Sequence, residues 1–211
     1  MHIIAIGINH KTAPVELREQ LAFSADTLEK ALKQLRDTKS ILECVILSTC
    51  NRVELYVVAD QLHTGRYYSK AFLASWFDIP METFNDHLYI KEETAAIRHL
   101  FTVACGLDSM MIGETQILGQ VRDAFLTAQE AGTTGTIFNE LFKRAVTLGK
   151  RRQSETEIGQ NAVSVSYAAV ELGKKLFDTL ADKTILLIGA GKTAELTATH
   201  FQAAGATKFL V

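Results

Sequence analysis

Proline, cysteine and long apolar runs are all scarce in this chain. Its 211 residues include two prolines and three cysteines. No apolar run reaches the roughly 18 residues of a membrane-spanning helix. The start of the chain, from Met1 to Gly7, lacks the basic segment and longer apolar stretch of a signal peptide. We therefore expect a cytoplasmic protein with no membrane span.

The cysteine count also argues against a disulfide framework. The three cysteines stand at positions 44, 50 and 105, an odd number at spacings of 6 and 55 residues. These spacings match no Cys-x-x-Cys zinc motif, and a reducing compartment keeps thiols free. We therefore expect three free thiols and no metal site.

An excess of charge of one sign is lacking as well. The chain has 22 lysines and arginines against 24 acidic residues, a net charge of −2. This excludes a protein that holds nucleic acid by an overall basic field, so any such contact must be local. The best local candidate is a basic stretch whose helical spacing brings its two ends to one side: Lys143, Arg144, Lys150, Arg151 and Arg152. The alternative is an ordinary solvated helix face.

What the chain does contain is 47% hydrophobic residues, arranged in strand and helix patterns. The first 90 residues predict the order β-α-β-β-α-β, which is typical of an α+β ferredoxin-like fold with two helices on one face of an antiparallel sheet. The predicted elements are strand His2–Asn9, helical region Pro14–Thr38, strands Cys44–Ser48 and Val53–Val58, helix Thr64–Phe77 and strand His87–Ile90. Further helices are predicted over Glu92–Cys105, twice over residues 117–158 with a break near Gly132–Gly135, and over Ser164–Ala181.

Cys50 lies in the tight connection between the second and third predicted strands. A thiol at a strand end is not locked inside a core, and the neighbouring Arg52 together with backbone donors would favour its reactive thiolate. The alternative is that a free cysteine is simply a small buried hydrophobe. Cys44 and Cys105, inside apolar segments, fit that alternative. We therefore predict that Cys50 is the candidate nucleophile.

Polar groups that suit a ligand pocket follow in the middle of the chain. His99 lies at the edge of an apolar helical stripe and can reach a cleft, although a half-buried histidine bonded to the backbone is the more common case. Residues 106–120 mix three glycines with hydroxyl, carboxylate and amide side chains. Such a loop can recognise a small polar ligand, or it can be an ordinary turn.

A glycine-rich turn near the end of the chain follows a predicted strand, Thr184–Ile188, and precedes a helix to about Ala204 and a strand at Thr207–Val211. Gly189-x-Gly191-x-x-Ala194 matches the dinucleotide fingerprint, in which the glycines allow the turn and the approach of a pyrophosphate. A P-loop is excluded, because position 186 is leucine where that motif needs glycine. The alternative is a glycine turn that binds nothing.

Four motifs in order resemble the glutamyl-tRNA reductase family. They are GINHKTAPVELRE at 7–19, LSTCNRVELY at 47–56, GLDSMMIGETQILGQ at 106–120 and IGAGK at 188–192. The resemblance covers essentially the whole chain. It implies the NADPH-dependent reduction of glutamyl-tRNA(Glu) to glutamate-1-semialdehyde through a thioester, the first step of five-carbon tetrapyrrole (porphyrin, haem) synthesis.

The resemblance also implies roles for individual residues. Cys50 would be the nucleophile, His99 would handle a proton or orient a group, and Arg52 would pair the substrate carboxylate in bidentate fashion. The remaining substrate-binding positions would be Thr49, Asn51, Ser109, Glu114, Thr115, Gln116 and Gln120. The NADP-binding turn would comprise Gly189, Ala190, Gly191, Lys192, Thr193 and Ala194.

The resemblance further implies a domain plan and partners. Residues 1–160 would form the catalytic domain, 161–182 a linking helix and 183–211 the start of an NADP-binding Rossmann domain. Family members continue through that domain into a dimerisation domain, so we expect homodimers of the longer form, a partner aminotransferase, and no reduction step in the 211 residues alone. Two other interpretations stay open: a tRNA- or ligand-binding module without turnover, and a different cysteine-dependent acyl reductase.

Overall fold

The computed structural model describes residues 1–156, 165–177 and 179–211. In the first range the elements are β1 (His2–Asn9), α1 (Val15–Gln20), α2 (Ala25–Asp37), β2 (Ile41–Ser48), β3 (Arg52–Ala59), α3 (Leu62–Phe77), α4 (Met81–Phe84), a 3-10 turn (Asn85–His87), β4 (Tyr89–Glu92), α5 (Thr94–Ala104), α6 (Gln116–Glu130) and α7 (Thr136–Glu155). Then follow α8 (Val165–Leu176), β5 (Thr184–Leu186), α9 (Lys192–Ala203) and β6 (Lys208–Leu210).

The first four strands form an antiparallel sheet in the order β2-β3-β1-β4. β1 pairs with β3 along its whole length, from His2 opposite Ala59 to Asn9 opposite Arg52. This order and these directions are those of the ferredoxin-like fold, so that prediction is confirmed. Because β3 lies between β1 and β2, the turn that joins β2 to β3 projects from an end of the sheet near its centre.

The predicted helical region Pro14–Thr38 contains two helices, α1 and α2. Residues 21–24 separate the two helices, and Ser24, the N-cap of α2, has an extended backbone conformation. Phe23 lies in the gap, where its ring contacts Phe72, Trp76 and Phe77, and its backbone N–H donates to Ser48 Oγ at 3.0 Å. The interruption therefore places an aromatic side chain in the core beside the end of β2.

Helices cover both faces of the sheet: α2 and α3 lie on one face, as predicted for the two helices of this fold, and later helices cover the other. On one face α3 packs so closely that a Cβ on Gly65 would lie 2.5 Å from Ala59 Cβ. On the other, Tyr56 meets the ring of Phe142 of α7 at 5.6 Å, and α5 and α6 also contact the sheet. All eight residues of β3 are buried as a result. Double burial explains why the strands have long apolar runs instead of a simple alternation.

Helix α7 begins on a carboxylate from β2. Glu43 accepts hydrogen bonds from the backbone N–H groups of Ile137 at 3.1 Å and Phe138 at 2.8 Å. Negative charge at a helix N-terminus is favourable, because the first N–H groups have no partner within the helix. The predicted break near Gly132–Gly135 is confirmed, because α6 ends at Glu130 and α7 begins at Thr136.

The remaining predicted bounds need small changes. The strand predicted at His87–Ile90 begins at Tyr89, because residues 85–87 form the 3-10 turn. The helix predicted over Ser164–Ala181 is α8, which ends at Leu176, and Ser164 and the predicted boundary at 160/161 lie outside the described residues. β5 and β6 pair in parallel around α9, which confirms the predicted β-α-β unit. Within the described ranges, no helix is long and apolar enough to span a membrane.

Candidate active site

The turn between β2 and β3 presents Cys50 at the surface. The turn is closed by the backbone N–H of Thr49, which donates to the carbonyl of Arg52 at 2.8 Å. The hydroxyl of Thr49 accepts from the N–H groups of Asn51 at 3.2 Å and Arg52 at 3.1 Å. Thr49 thus fixes the turn on both sides of Cys50, whose side chain is exposed.

The other two cysteines are buried, as predicted. The thiol of Cys44 on β2 points toward α2 and lies 3.4 Å from the carbonyl of Leu32, and burial raises its pKa to about 12. Burial also raises the pKa of Cys105. Since the thiolate is the nucleophilic form, neither suits nucleophilic chemistry at neutral pH. Cys50 is the accessible thiol among the three.

Arg52 lies beside Cys50 in sequence, but its guanidinium points into the protein. It is 1% exposed, and its Nη1 donates to Glu54 Oε1 at 2.6 Å. Its Nη2 donates to the backbone carbonyl of Asp108 at 2.8 Å and to Asp108 Oδ2 at 3.1 Å. The expectation that this guanidinium favours the Cys50 thiolate directly therefore needs correction, because two carboxylates already hold it.

Glu54 is the centre of a buried polar network. Besides Arg52, it accepts hydrogen bonds from Tyr56 at 2.5 Å, from Tyr89, and from His99 Nε2 at 2.9 Å. Gly7 on β1 lies opposite Glu54, and a Cβ there would come within 2.2 Å of the carbonyl of Val53. The absent side chain of Gly7 therefore makes room for the network.

These donors keep Glu54 ionised. Burial alone would raise the pKa of Glu54, but donation from His99 and the charge of Arg52 hold that pKa at about 2. An ionised carboxylate only accepts hydrogen bonds, so His99 must carry its proton on Nε2. The other ring nitrogen, Nδ1, makes no hydrogen bond among the described residues, and the side chain is 11% exposed.

Asp108 connects this network to the loop that follows α5. Its carboxylate bridges Arg52 and Lys11, whose Nζ lies 2.6 Å from Oδ1. Burial would raise the pKa of Asp108, but hydrogen bonds and charges from Lys11 and Arg52 lower it. The loop is therefore tied to β1 and β3 at the edge of the candidate site.

The polar residues predicted on residues 106–120 are spread along this loop and the first turns of α6. Gly106 and Gly113 both have positive φ, and the N–H of Gly113 donates to the carbonyl of Gly106 at 2.9 Å. The hydroxyl of Ser109 is buried without a hydrogen-bond partner among the described residues. Glu114 and Thr115 precede α6, Gln116 begins it, and Gln120 follows one turn later. The described contacts do not join these four side chains to Cys50.

The glycine-rich turn suits a dinucleotide phosphate. Gly189 has φ of +107°, and a Cβ on Gly189 or Gly191 would meet nothing within 4 Å. Helix α9 begins directly after Gly191, so its N-terminal N–H groups face the turn, where Thr193 and Ala194 line a shallow depression. These residues leave room for the pyrophosphate of a dinucleotide. The side chain of Lys192 lies outside the described part of the chain.

The basic stretch of α7 is a poorer candidate for nucleic acid than its sequence indicates. Arg144 pairs with Glu140, and Arg151 pairs with Glu155, each within the helix. Arg152 is 7% exposed, and its Nη1 lies 3.4 Å from the carbonyl of Gly113. Three of the five cations are thus neutralised or buried.

Sequence analysis missed Glu54, Tyr56, Tyr89, Lys11 and Asp108 as members of the site, and also Asn9, whose Nδ2 donates to Asp108 Oδ2 at 3.4 Å. A usable signal existed for Glu54, because it is a lone acidic residue inside the strand predicted at Val53–Val58. A charge in a buried strand needs a partner. No comparable signal marks Asp108, since its contacts depend on how the loop folds back onto β1.

Together the fold and site define a ferredoxin-like domain with an exposed cysteine at a strand turn, followed by a β-α-β unit. Residues 6–156 match the family model described as "Glutamyl-tRNAGlu reductase, N-terminal domain". The chain therefore belongs to the glutamyl-tRNA reductase family. Residues 171–211 match the model described as "Shikimate / quinate 5-dehydrogenase".

Individual relatives agree with this assignment. The chain is 66% identical to the glutamyl-tRNA reductase of Shouchella clausii and 59% identical to that of Bacillus subtilis, each over all 211 residues and 46% of the relative. The solved glutamyl-tRNA reductase from Methanopyrus kandleri superposes with a TM-score of 0.64 at 35% identity, over 99% of this chain and 48% of that one. The chain thus spans about half the length of these relatives.

Proposed function

We propose that this chain carries out the acyl-transfer half of the reaction for which its relatives are named. Cys50 would take the glutamyl group from glutamyl-tRNA as a thioester. The observation that carries this proposal is the contrast between an exposed Cys50 on a fixed turn and the buried Cys44 and Cys105. The family membership supplies the substrate class.

The step balances as an ordinary transesterification. The Cys50 thiolate forms a bond to the ester carbonyl carbon, and the bond from that carbon to the terminal ribose oxygen breaks. The released RNA hydroxyl takes up a proton, and the glutamyl group remains on sulfur. We propose that Nδ1 of His99 exchanges this proton, because Glu54 holds its Nε2 as a donor.

The substrate glutamate would lie between the Cys50 turn and the loop after α5. We propose that Arg52 binds a substrate carboxylate, which supplies a third negative group beside Glu54 and Asp108. A guanidinium can bind a carboxylate through two parallel hydrogen bonds either from Nη1 and Nη2 or from Nε and Nη2, and both arrangements use Nη2. Asp108 occupies Nη2 of Arg52 here, so the substrate carboxylate would have to displace that contact. The other proposed substrate contacts are Thr49, Asn51, Ser109, Glu114, Thr115, Gln116 and Gln120.

We propose that residues 189–194 of the longer protein would hold NADPH, which would supply the hydride that reduces the thioester to glutamate-1-semialdehyde, with cleavage of the carbon–sulfur bond and release of the Cys50 thiolate. The open backbone at Gly189 and Gly191 supports this use of the turn. The division at residues 160 and 182, the homodimer of the longer form and the partner aminotransferase belong to the same proposal. The whole reaction would be the first step of tetrapyrrole synthesis.

The test is transfer of radiolabelled glutamate from glutamyl-tRNA to the protein, followed by an acid quench and hydroxylamine treatment. We expect hydroxylamine-labile label on the wild type and none on Cys50→Ser. A binding module without turnover would bind the tRNA equally in both proteins and take up no label. A reductase for other acyl groups would be acylated faster by an acyl phosphate or acyl-CoA, which would then outcompete glutamyl-tRNA.

A further inference from the structure

Arg18 supplies a positive charge at the Cys50 turn that no carboxylate compensates. Its Nη1 donates to the backbone carbonyl of Cys50 and lies 3.5 Å from Oδ1 of Asn51. Its Nε is buried without a partner. Across the part of the chain that the structure describes, no carboxylate lies within ion-pairing distance of this guanidinium.

The other charges around the turn compensate one another. Arg52 and Lys11 are matched by Glu54 and Asp108. Burial lowers the pKa of the neighbouring His10, and the charges of Lys11, Arg52 and Arg18 lower it further, against the opposite effect of Asp108. Arg18 is therefore the excess cation beside the candidate nucleophile, in a chain whose net charge is −2.

An uncompensated, half-buried guanidinium favours an anionic ligand. Its planar donors match the oxygens of phosphate, and it is less strongly hydrated than an ammonium group. If Cys50 attacks an ester at the 3′ end of an RNA, the nearest phosphodiester lies on the same terminal nucleotide as that ester. A cation bonded to the backbone of Cys50 is placed to meet this group.

We propose that Arg18 binds a phosphodiester of the RNA acceptor end while Cys50 takes up the acyl group. The inference rests on the proposed function for the choice of an RNA ester. It gives a second candidate for a local nucleic-acid contact beside the basic stretch of α7. Arg18 contributes to affinity and to the position of the ester, and the chemistry remains with Cys50.

The first experiment measures binding of an uncharged RNA hairpin that ends in CCA, by fluorescence anisotropy over a series of salt concentrations. We expect Arg18→Gln to weaken binding about tenfold, the effect of one charge-assisted contact. The slope of log affinity against log salt should fall by about 0.7, as for one single-stranded phosphate contact. Arg18→Lys should keep the slope, and Arg122→Gln, at an exposed arginine on α6, should match the wild type.

The second experiment compares acylation of Cys50 by glutamyl-RNA and by a glutamyl ester of adenosine, which has no phosphate. Arg18→Gln should lower the ratio of the two rates about tenfold. An equal loss with both esters would mean that Arg18 only supports the turn, and unchanged RNA affinity and salt slope would equally overturn the proposal. If the wild type binds RNA through Arg18 but is never acylated, the proposed function fails and only the contact between Arg18 and the RNA phosphate stands.

Discussion

The Nε2 atom of His99 lies 2.9 Å from Oε1 of Glu54, and the same oxygen accepts from Nη1 of Arg52 at 2.6 Å. One buried carboxylate thus orients the residue proposed to move a proton and the residue proposed to bind the substrate. Neither group has to be ordered when substrate arrives, because Glu54 fixes both in advance.

Glu54→Gln should damage stability and acyl transfer together. The change removes the charge that faces Arg52, and breaking a buried ion pair costs about 3 kcal/mol. The new side-chain amide can donate a hydrogen bond to Nε2 of His99. The imidazole proton would then lie on Nδ1, which could no longer act as a base. Urea denaturation would give the stability, and the rate of Cys50 acylation should fall at least tenfold.

The control for that change is Tyr56→Phe. It removes one hydrogen bond to Glu54 and leaves the charge in place. It should cost about 1 to 2 kcal/mol and spare the His99 tautomer, so acylation should remain close to the wild-type rate. Equal rates for Glu54→Gln and Tyr56→Phe would contradict the role given to the carboxylate.

The same carboxylate predicts how stability depends on pH. Its pKa is about 2 in the folded protein against 4.5 for an ordinary glutamate. Its stabilising contribution is therefore complete above pH 4.5 and is lost as the pH falls toward 2, where the unfolded chain binds the proton more readily. Between these limits the wild type should lose more unfolding free energy than Glu54→Gln does. Parallel curves for the two proteins would show that Glu54 does not titrate in this way.

A pair of glycine substitutions tests the packing beneath the network. Gly7→Ala would place a Cβ 2.2 Å from the carbonyl of Val53, so β1 and β3 would have to separate. We expect a loss of at least 2 kcal/mol in unfolding free energy. Gly119→Ala on α6 meets nothing within 4 Å and should stabilise the protein by up to about 1 kcal/mol. A neutral Gly7→Ala would contradict the tight fit.

Much of the fold could be predicted from local patterns. The strands β1, β2 and β3 stand out because they are apolar and rich in β-branched residues. The predicted order β-α-β-β-α-β is enough to indicate the ferredoxin-like arrangement. The helical region Pro14–Thr38 was predicted without the first helix being separated from the second, because the contacts of Phe23 with Phe72 and Trp76 in the gap are tertiary. The later helices were predicted, but their place on the second face of the sheet was not, because periodicity does not show which face a later helix will cover.

The candidate site was predictable only in part. Cys50 could be singled out because turn position and accessibility follow from the strand pattern. The direction of the Arg52 side chain could not, because it depends on Asp108, 56 positions further along the chain, as well as on Glu54, which follows two residues later on the same face of β3. Long-range ion pairs of this kind leave no local periodicity, and they also hid the role of Lys11.

Thiol accessibility gives a further prediction. Brief treatment of the native protein with iodoacetamide should modify Cys50 and spare Cys44 and Cys105, which are buried. The same treatment in urea should modify all three, because unfolding exposes them. Mass spectrometry of the digested protein would locate the label. Native labelling of Cys44 at the rate of Cys50 would mean that the sheet opens readily.

The central claim is that Cys50 accepts the glutamyl group. The most direct measurement is peptide mapping by mass spectrometry after the protein is mixed with glutamyl-tRNA and quenched in acid. The account predicts a glutamyl adduct on the peptide that contains Cys50, absent after hydroxylamine treatment and absent in Cys50→Ser. An adduct that persists in Cys50→Ser, or that maps to Cys44 or Cys105, would contradict it.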